Sequence, residues 1–132
     1  MQSIHQRFSV RFSYDVHFTE GLFDDDNPLL ARSIEQDGEP GPKKAVAVVD
    51  EGLLPHYEDL LDRIDGYARA HRDALTLAAA PVVVPGGEAA KNDPALVDRI
   101  HTAIYEAHLD RHAYVLAVGG GAVLDLVGYA AA

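Results

Sequence analysis

Short apolar runs alternate with helical patterns along most of this chain, and that order restricts the fold more than any other feature. The run Ala45–Asp50 is apolar up to its last residue, without polar alternation, which is typical of a strand covered on both faces. Similar runs occupy Leu75–Ala80 and Tyr114–Val118. Because helical patterns separate and follow these runs, the sequence predicts a mostly parallel sheet of the α/β, Rossmann-like, doubly wound class.

The helices of this pattern have recognisable starts. Asn27 is a candidate cap with Pro28 behind it, and Asp93 precedes Pro94 in the same way. In chain order, the predicted helices run from Pro28 to about Gln36, from about Pro55 to Arg72, onward from Asp93, and onward from near Ala122.

An eleven-residue segment before the first helix has a different period. From Phe8 to Phe18 every second residue is apolar, and the residues between are Ser9, Arg11, Ser13, Asp15 and His17. Period two predicts a strand with one dry face, at a sheet edge or in an antiparallel position. His17 lies on the polar face, where we expect a solvated side chain.

Composition limits the partners. The chain has 132 residues, which suits one domain, and its net charge of −10 disfavours nucleic acid and anionic membranes as partners. It has no cysteine, so disulfides, thiolate zinc sites and cysteine nucleophiles are excluded. The first residues lack the apolar core of a secretory signal. We therefore expect a cytoplasmic protein.

The last twenty residues, Ala113–Ala132, carry a single charge and are long enough to span a membrane. Three central glycines and Asp125 oppose a spanning helix, so a buried strand, a turn and a buried helix are preferred. That helix is apolar on nearly every side and requires surrounding protein. We expect the sequence to be the N-terminal part of a longer chain, with burial in a dimer as the alternative.

The triple glycine that follows the third run is the strongest chemical signal. Glycines between a strand and a helix let main-chain N–H groups approach a phosphate at the positive end of the helix. Leu124 replaces the third glycine of the dinucleotide fingerprint, and a tight structural turn remains an open alternative. Asp125 is costly in such an apolar helix unless it has a partner, and a ligand hydroxyl is favoured over a neighbouring main-chain group.

Three further groups are candidates with simpler alternatives. In Pro85–Asp93 a fixed turn presents Glu88 and Lys91, which could contact a ribose and a phosphate or form a solvated ion pair. Asp50 ends the first run, at the sheet edge where open α/β folds bind ligands, although for this residue taken alone a helix cap is favoured. His108 and His112 have zinc-site spacing without the accompanying glutamate, so solvated histidines are favoured.

Together, the motifs of Val48–Gly52, Gly86–Asp93 and Ala117–Ala132 resemble the NAD-binding half of the 3-dehydroquinate synthase family of sugar phosphate cyclases, and within it the EboD-like homologues. The resemblance implies that Asp50 and Asp125 bond to the riboses of NAD. It implies that the cofactor is also lined by Gly86, Gly87, Glu88 and Lys91. The pyrophosphate would be held by Gly120, Gly121, Ala122 and Val123.

The resemblance also implies an activity for the parent protein. Family members oxidise a seven-carbon sugar phosphate transiently, eliminate phosphate and close a ring by an aldol step, with a divalent metal, usually zinc. The metal ligands and substrate-binding groups belong to a later helical domain, so we expect no catalytic or metal residues in this chain, no activity of the chain alone, and a homodimer of the full-length protein. A sedoheptulose 7-phosphate cyclase, a non-catalytic dinucleotide-binding module and a metal-dependent dehydrogenase remain alternatives.

Overall fold

The computed structural model describes residues 1–36 and 38–132 of the chain. In these residues it contains one sheet of four strands and five α-helices. The strands are β1 (Lys43–Asp50), β2 (Leu75–Leu77), β3 (Val82–Val84) and β4 (Tyr114–Val118). The helices are α1 (Leu29–Glu35), α2 (Leu60–Ala70), α3 (Glu88–Lys91), α4 (Pro94–Glu106) and α5 (Gly121–Ala131), with a short 3₁₀ helix at Glu51–Leu53.

The strands are all parallel and pair around β1, which confirms the predicted α/β class. One edge of β1 pairs with β4 along Ala45–Val49. The opposite edge pairs first with β2 and then with β3. Leu77 and Val82 lie opposite Ala45 and Val48, so this edge has two extra residues between its strands. Because the strands are parallel, the carboxyl ends of β1, β3 and β4 meet at the same end of the sheet.

Helices cover both faces of β1, which explains its uninterrupted apolar run. None of the residues from Ala45 to Val49 has exposed surface. Val48 belongs to a core cluster with residues of α4 and α5, whereas Ala45 and Ala47 face clusters formed with α1 and α2. Burying each valine of this strand contributes about 1.5–3 kcal/mol. The central strand therefore anchors both helical layers.

The cap predicted at Asp93 is present, whereas Asn27 lies one residue before the cap position of α1, which Pro28 occupies. Asn27 Oδ1 accepts a hydrogen bond from the Leu29 N–H at 3.1 Å. Asp93 Oδ1 accepts one from the Ala95 N–H at 3.0 Å, at the start of α4. The helix expected from Pro55 begins only at Leu60, because the chain leaving β1 first forms the 3₁₀ helix and a turn.

Tyr67 of α2 fixes α1 from a distance in the sequence. Its side chain is 1% exposed, and its hydroxyl accepts a hydrogen bond from the Ala31 N–H at 3.1 Å. The same hydroxyl donates to the Asn27 carbonyl oxygen at 2.7 Å. Phe23 packs edge-on against the Tyr67 ring. A single buried phenol thus satisfies main-chain groups at the amino end of α1.

The strand predicted over Phe8–Phe18 is wrong for the single chain. The segment has no regular secondary structure, and its apolar side chains are 67–96% exposed. A strand is stabilised by main-chain hydrogen bonds to a neighbouring strand, and none of the described residues pairs with this segment. Alternation therefore identified a segment able to pair, without identifying a partner.

Helix α5 is buried along one side only. Val123, Leu126, Val127 and Ala130 are buried in the core, whereas Leu124 is 47% and Tyr129 is 75% exposed. The sequence predicted that protein would bury nearly every side of this helix, whereas the described residues bury one side. No helix among the described residues is long and apolar enough to cross a membrane.

Candidate functional site

Asp50, at the carboxyl end of β1, lies between two glycine turns. A β-carbon on Gly86, which follows β3, would lie 2.4 Å from Asp50 Oδ1. A β-carbon on Gly119, which follows β4, would lie 2.7 Å from Asp50 Cβ. Glycine at both positions is what allows the carboxylate to occupy this place. The strand-end site, defined as Asp50, Gly86 and Gly119–Gly121, thus joins three strands at the sheet end where α/β folds bind ligands.

Asp50 also has a structural role. Its Oδ1 accepts a hydrogen bond from the Gly52 N–H at 2.8 Å and caps the 3₁₀ helix. The cap alternative raised from the sequence is therefore present. A carboxylate has about four acceptor positions on its two oxygens, so one cap leaves capacity for a ligand hydroxyl.

The triple glycine leaves the amino end of α5 open. Gly120 is the residue before the helix and has an extended backbone, with φ of −82° and ψ of −177°. Gly120 and Gly121 are exposed, and a β-carbon on either would have no neighbour within 4 Å. Among the described residues no side chain caps this helix, and its first turn holds no acidic residue. Free N–H groups and the helix dipole therefore favour an anion here.

The two residues that follow are oriented differently. Ala122 is half-buried, and Val123 is fully buried in the core. Any contact of Val123 with a ligand would thus come from its main chain, as the resemblance implies. Its packing fixes the first turn of α5 against the sheet.

The loop after β3 presents a charged pair. Gly87 has φ of +63°, a conformation that favours glycine, and it immediately precedes α3. Lys91 Nζ lies 3.3 Å from Glu88 Oε1, and the two side chains are 56% and 84% exposed. Ala90 is buried and anchors this turn. An exposed pair of this kind stabilises a fold by about 0–1 kcal/mol, so both charges are available to a ligand at little cost.

A cleft of about 460 Å³ lies between α3, the start of α4 and α5. We call it the helix cleft. Lys91 and Asp125 contribute opposite charges to its wall, and Ala122 connects it in sequence with the strand-end site. The remaining wall consists of Ala90, Asn92, Asp93, Pro94, Val97, Leu126 and Tyr129. It therefore combines an apolar floor with a few charged groups, as small-molecule sites do.

Asp125 is not buried, so the prediction that burial of its charge requires a partner is wrong. Its side chain is exposed, and it forms no hydrogen bond or ion pair with any residue that the structure describes. Because water solvates the carboxylate, its position in an apolar helix does not require a partner. The support for a ligand-binding role of Asp125 is its position, because its carboxylate lines the same cleft as Lys91.

The histidine pair does not have helical geometry. Helix α4 ends at Glu106, before both His108 and His112, and His108 has φ of +53°. His108 is exposed, and His112 Nε2 lies 3.3 Å from Arg111 Nε. Within residues 1–36 and 38–132 no cluster of three or more His, Cys, Asp or Glu side chains could hold a metal ion.

The structure thus groups the predicted residues into two adjoining places. Asp50, Gly86, Gly120 and Gly121 belong to the strand-end site, while Lys91, Ala122 and Asp125 line the helix cleft. Glu88 is outside the cleft wall and reaches it only through Lys91. Sequence reasoning missed the contact of Gly119 with Asp50, although Gly119 is the first glycine of the motif it singled out.

Comparison with known proteins concerns the same segments. Residues 81–132, which include both glycine motifs and α5, match the family model described as 3-dehydroquinate synthase N-terminal. A 3-dehydroquinate synthase of Rhizobium etli strain CIAT 652 is 32% identical over 130 residues, or 98% of the chain. The chain is therefore similar to 3-dehydroquinate synthases over nearly its whole length. The resemblance proposed from its motifs is confirmed.

Two further similar proteins carry names that differ from each other. A 3-dehydroquinate synthase of Rhizobium johnstonii is 37% identical over 99% of the chain, and the 2-epi-5-epi-valiolone synthase of Streptomyces glaucescens is 38% identical over 89%. The chain spans about a third of these relatives' length, 31% and 27% respectively. No solved structure shows significant similarity to it.

Proposed function

We propose that this chain is the NAD-binding domain, residues 1–132, of a 3-dehydroquinate synthase-like sugar phosphate cyclase. The observation that carries the proposal is the open amino end of α5 beside Asp50. Gly120 and Gly121 have open space where a β-carbon would stand, and the first turn of α5 has no acidic residue. The main-chain N–H groups at this helix end therefore suit a pyrophosphate. A carboxylate one strand away suits a ribose hydroxyl.

The proposed NAD contacts come from main-chain groups and from charged side chains. Gly120, Gly121, Ala122 and Val123 would hold the pyrophosphate through their main chains. Asp50 would accept a hydrogen bond from the adenosine ribose, and Asp125 from the ribose beside the nicotinamide. The remaining lining would consist of Gly86, Gly87, Glu88 and Lys91.

Bound NAD supplies a hydride acceptor that can return the hydride later in the same reaction. The contribution of this chain is binding and orientation. A free Asp125 carboxylate can fix one ribose, and the Lys91 ammonium can lie beside a phosphate oxygen once it leaves Glu88. The exchange is easy because the existing pair is exposed and weak.

The parent activity extends the proposal beyond these residues. We infer that the full-length enzyme oxidises a seven-carbon sugar phosphate transiently, eliminates phosphate and closes the ring. Its divalent metal, zinc by the family resemblance, and its substrate-binding groups would come from the part of the relatives that this chain does not span. We further propose that it is a cytoplasmic homodimer.

A second candidate reaction is supported by the similarity to a 2-epi-5-epi-valiolone synthase, at an identity close to that of the 3-dehydroquinate synthases. In that case the substrate of the full-length enzyme would be sedoheptulose 7-phosphate. NAD would be bound in the same way, because both candidates are sugar phosphate cyclases.

Cofactor binding is tested by calorimetric titration of the 132-residue chain with NAD. Asp125→Ala and Lys91→Ala should each weaken binding about tenfold, since each removes one charge-assisted contact. Asp98→Ala and Lys44→Ala are the matched controls, because Asp98 lies outside the helix cleft and Lys44 is near the amino end of β1. Equal affinity in all four variants would contradict the proposed site.

Turnover is tested separately with the full-length protein and each of the two sugar phosphates. A cyclase should release phosphate without net accumulation of NADH, because the hydride is returned. Net NADH formation would instead indicate a metal-dependent dehydrogenase. NAD binding without turnover of either substrate would favour a non-catalytic dinucleotide-binding module. The 132-residue chain alone should be inactive in both assays.

A further inference from the structure

The charge within the strand-end site is negative and has a fixed position. Asp50 is the charged residue of this site, and the others are glycines. Asp50 Oδ1 accepts the hydrogen bond from the Gly52 N–H at 2.8 Å. A β-carbon on Gly86 would lie 2.4 Å from Oδ1 and 2.5 Å from Oδ2, so both oxygens lie directly beside the turn after β3. The hydrogen bond and this close contact together hold the carboxylate in place.

The loops that leave the carboxyl ends of β1, β3 and β4 bring no cation to the site. No lysine or arginine occurs in residues 45–62, 78–90 or 112–132. Arg63, the first arginine or lysine after β1, forms an ion pair with Asp24. Lys91, the first after β3, forms one with Glu88 and lines the helix cleft. A phosphate at the strand-end site would thus meet a carboxylate without a lysine or arginine from these loops to balance it.

The two nicotinamide dinucleotides differ in the group that would lie here. NAD has a 2′-hydroxyl on its adenosine ribose, and NADP has a phosphate monoester at that position. A hydroxyl can donate a hydrogen bond to the free Asp50 oxygen. A phosphate monoester carries close to two negative charges at neutral pH and is repelled by a carboxylate. Rossmann-type sites use an acidic residue for the 2′-hydroxyl and an arginine for the 2′-phosphate.

We propose that Asp50 is the specificity-determining residue of the cofactor site and that its charge selects NAD against NADP. The inference rests on the proposed function, which places the adenosine ribose at Asp50. Repulsion between the carboxylate and the 2′-phosphate should make NADP bind about 100-fold more weakly than NAD. Turning the carboxylate away from the phosphate would break its hydrogen bond to Gly52, so the protein has no easy way to relieve this repulsion.

Calorimetric titration of the 132-residue chain with NAD and with NADP measures the selectivity, defined as the ratio of the two dissociation constants. Equal affinities of the wild type for both dinucleotides would overturn this inference and leave the proposed NAD site intact. Absence of binding to either would overturn the proposed function as well. Raising the salt concentration should lower the selectivity, because salt screens the repulsion between carboxylate and phosphate. A selectivity independent of salt would contradict the role given to the charge.

Asp50→Asn tests the residue itself. The change removes the charge but keeps the size of the side chain, and the amide oxygen can still accept the hydrogen bond from the Gly52 N–H. The variant should therefore fold, which circular dichroism checks. Its affinity for NADP should rise while its affinity for NAD falls, so that the selectivity decreases about tenfold or more. Wild-type selectivity in a folded Asp50→Asn protein would overturn the inference.

Asp125→Asn is the matched control, because it makes the same charge change at the other proposed ribose contact. The nicotinamide ribose is identical in NAD and NADP. Asp125→Asn should therefore weaken the binding of both dinucleotides by the same factor and leave the selectivity unchanged. A loss of selectivity as large as that of Asp50→Asn would show that net charge, and not the position of Asp50, discriminates between the two cofactors, and would overturn the assignment.

Discussion

Position 119 requires glycine because Asp50 and Val123 occupy the space beside it. A β-carbon there would lie 2.7 Å from Asp50 Cβ and 3.2 Å from Val123 Cβ. Both atoms are attached directly to main chains and cannot turn away. At Gly86, by contrast, the obstacle is the Asp50 carboxylate itself, which can rotate if its hydrogen bond to Gly52 is lost.

We therefore predict an order of stability among three glycine variants. Gly119→Ala should lower the free energy of unfolding by about 2 kcal/mol, as an overpacked core does. Gly86→Ala should cost about 1 kcal/mol, the value of the lost cap. Gly120→Ala should stay within about 0.5 kcal/mol of the wild type, since its β-carbon meets nothing. Urea unfolding measures all three, and a Gly119→Ala protein as stable as Gly120→Ala would contradict this geometry.

The sequence allowed the site residues to be singled out, but not the relations among them. Asp50 and the two glycine motifs could be placed at strand ends because strand and helix patterns alternate. The close packing of Asp50 between Gly86 and Gly119 depends on the distance between strands that are far apart in sequence. The exposure of Asp125 depends on which side of α5 faces the core, and nearly uniform apolarity conceals that side.

At the scale of the elements, α1 depends on a contact that is distant in sequence. The helix has seven residues, too few to be stable alone, and Ala31 and Ile34 are its buried side chains. The Tyr67 hydroxyl bonds to main-chain groups of Asn27 and Ala31 across more than thirty residues. The role of Asn27 at this helix start could be recognised from local sequence, whereas that of the tyrosine could not.

Tyr67→Phe should consequently destabilise the fold by about 1–3 kcal/mol. It leaves the Ala31 N–H and the Asn27 carbonyl without their partner while keeping the ring in the core. Tyr129→Phe is the control, because that side chain is 75% exposed. Hydrogen exchange should show faster exchange of the α1 amides in Tyr67→Phe, and unchanged exchange would contradict the role given to this hydroxyl.

At the scale of the whole molecule, the order of strands and helices predicted the architecture well. The two faces of β1 accept separate helical layers, so a run without polar alternation was the right indication of a central strand. Two apolar surfaces remain outside this architecture, the Phe8–Phe18 segment and the outer side of α5 with Leu124 and Tyr129. Patterns of hydrophobicity show which surfaces are apolar enough to be buried, but not which chain buries them. That the sequence is part of a longer protein stays a prediction.

The measurement that most directly tests the account is the affinity of NAD for Gly120→Ala, compared with Gly128→Ala. Apart from its chain neighbours and the helix's own backbone, no described atom would lie within 4 Å of either new β-carbon, so both variants should fold. A methyl group on Gly120 would occupy the space where the pyrophosphate is proposed to meet the α5 amides, whereas Gly128 lies near the other end of the helix. Gly120→Ala should weaken binding at least tenfold, or about 1.4 kcal/mol, with Gly128→Ala unchanged. Equal affinities for NAD, or no binding to the wild type, would contradict the account.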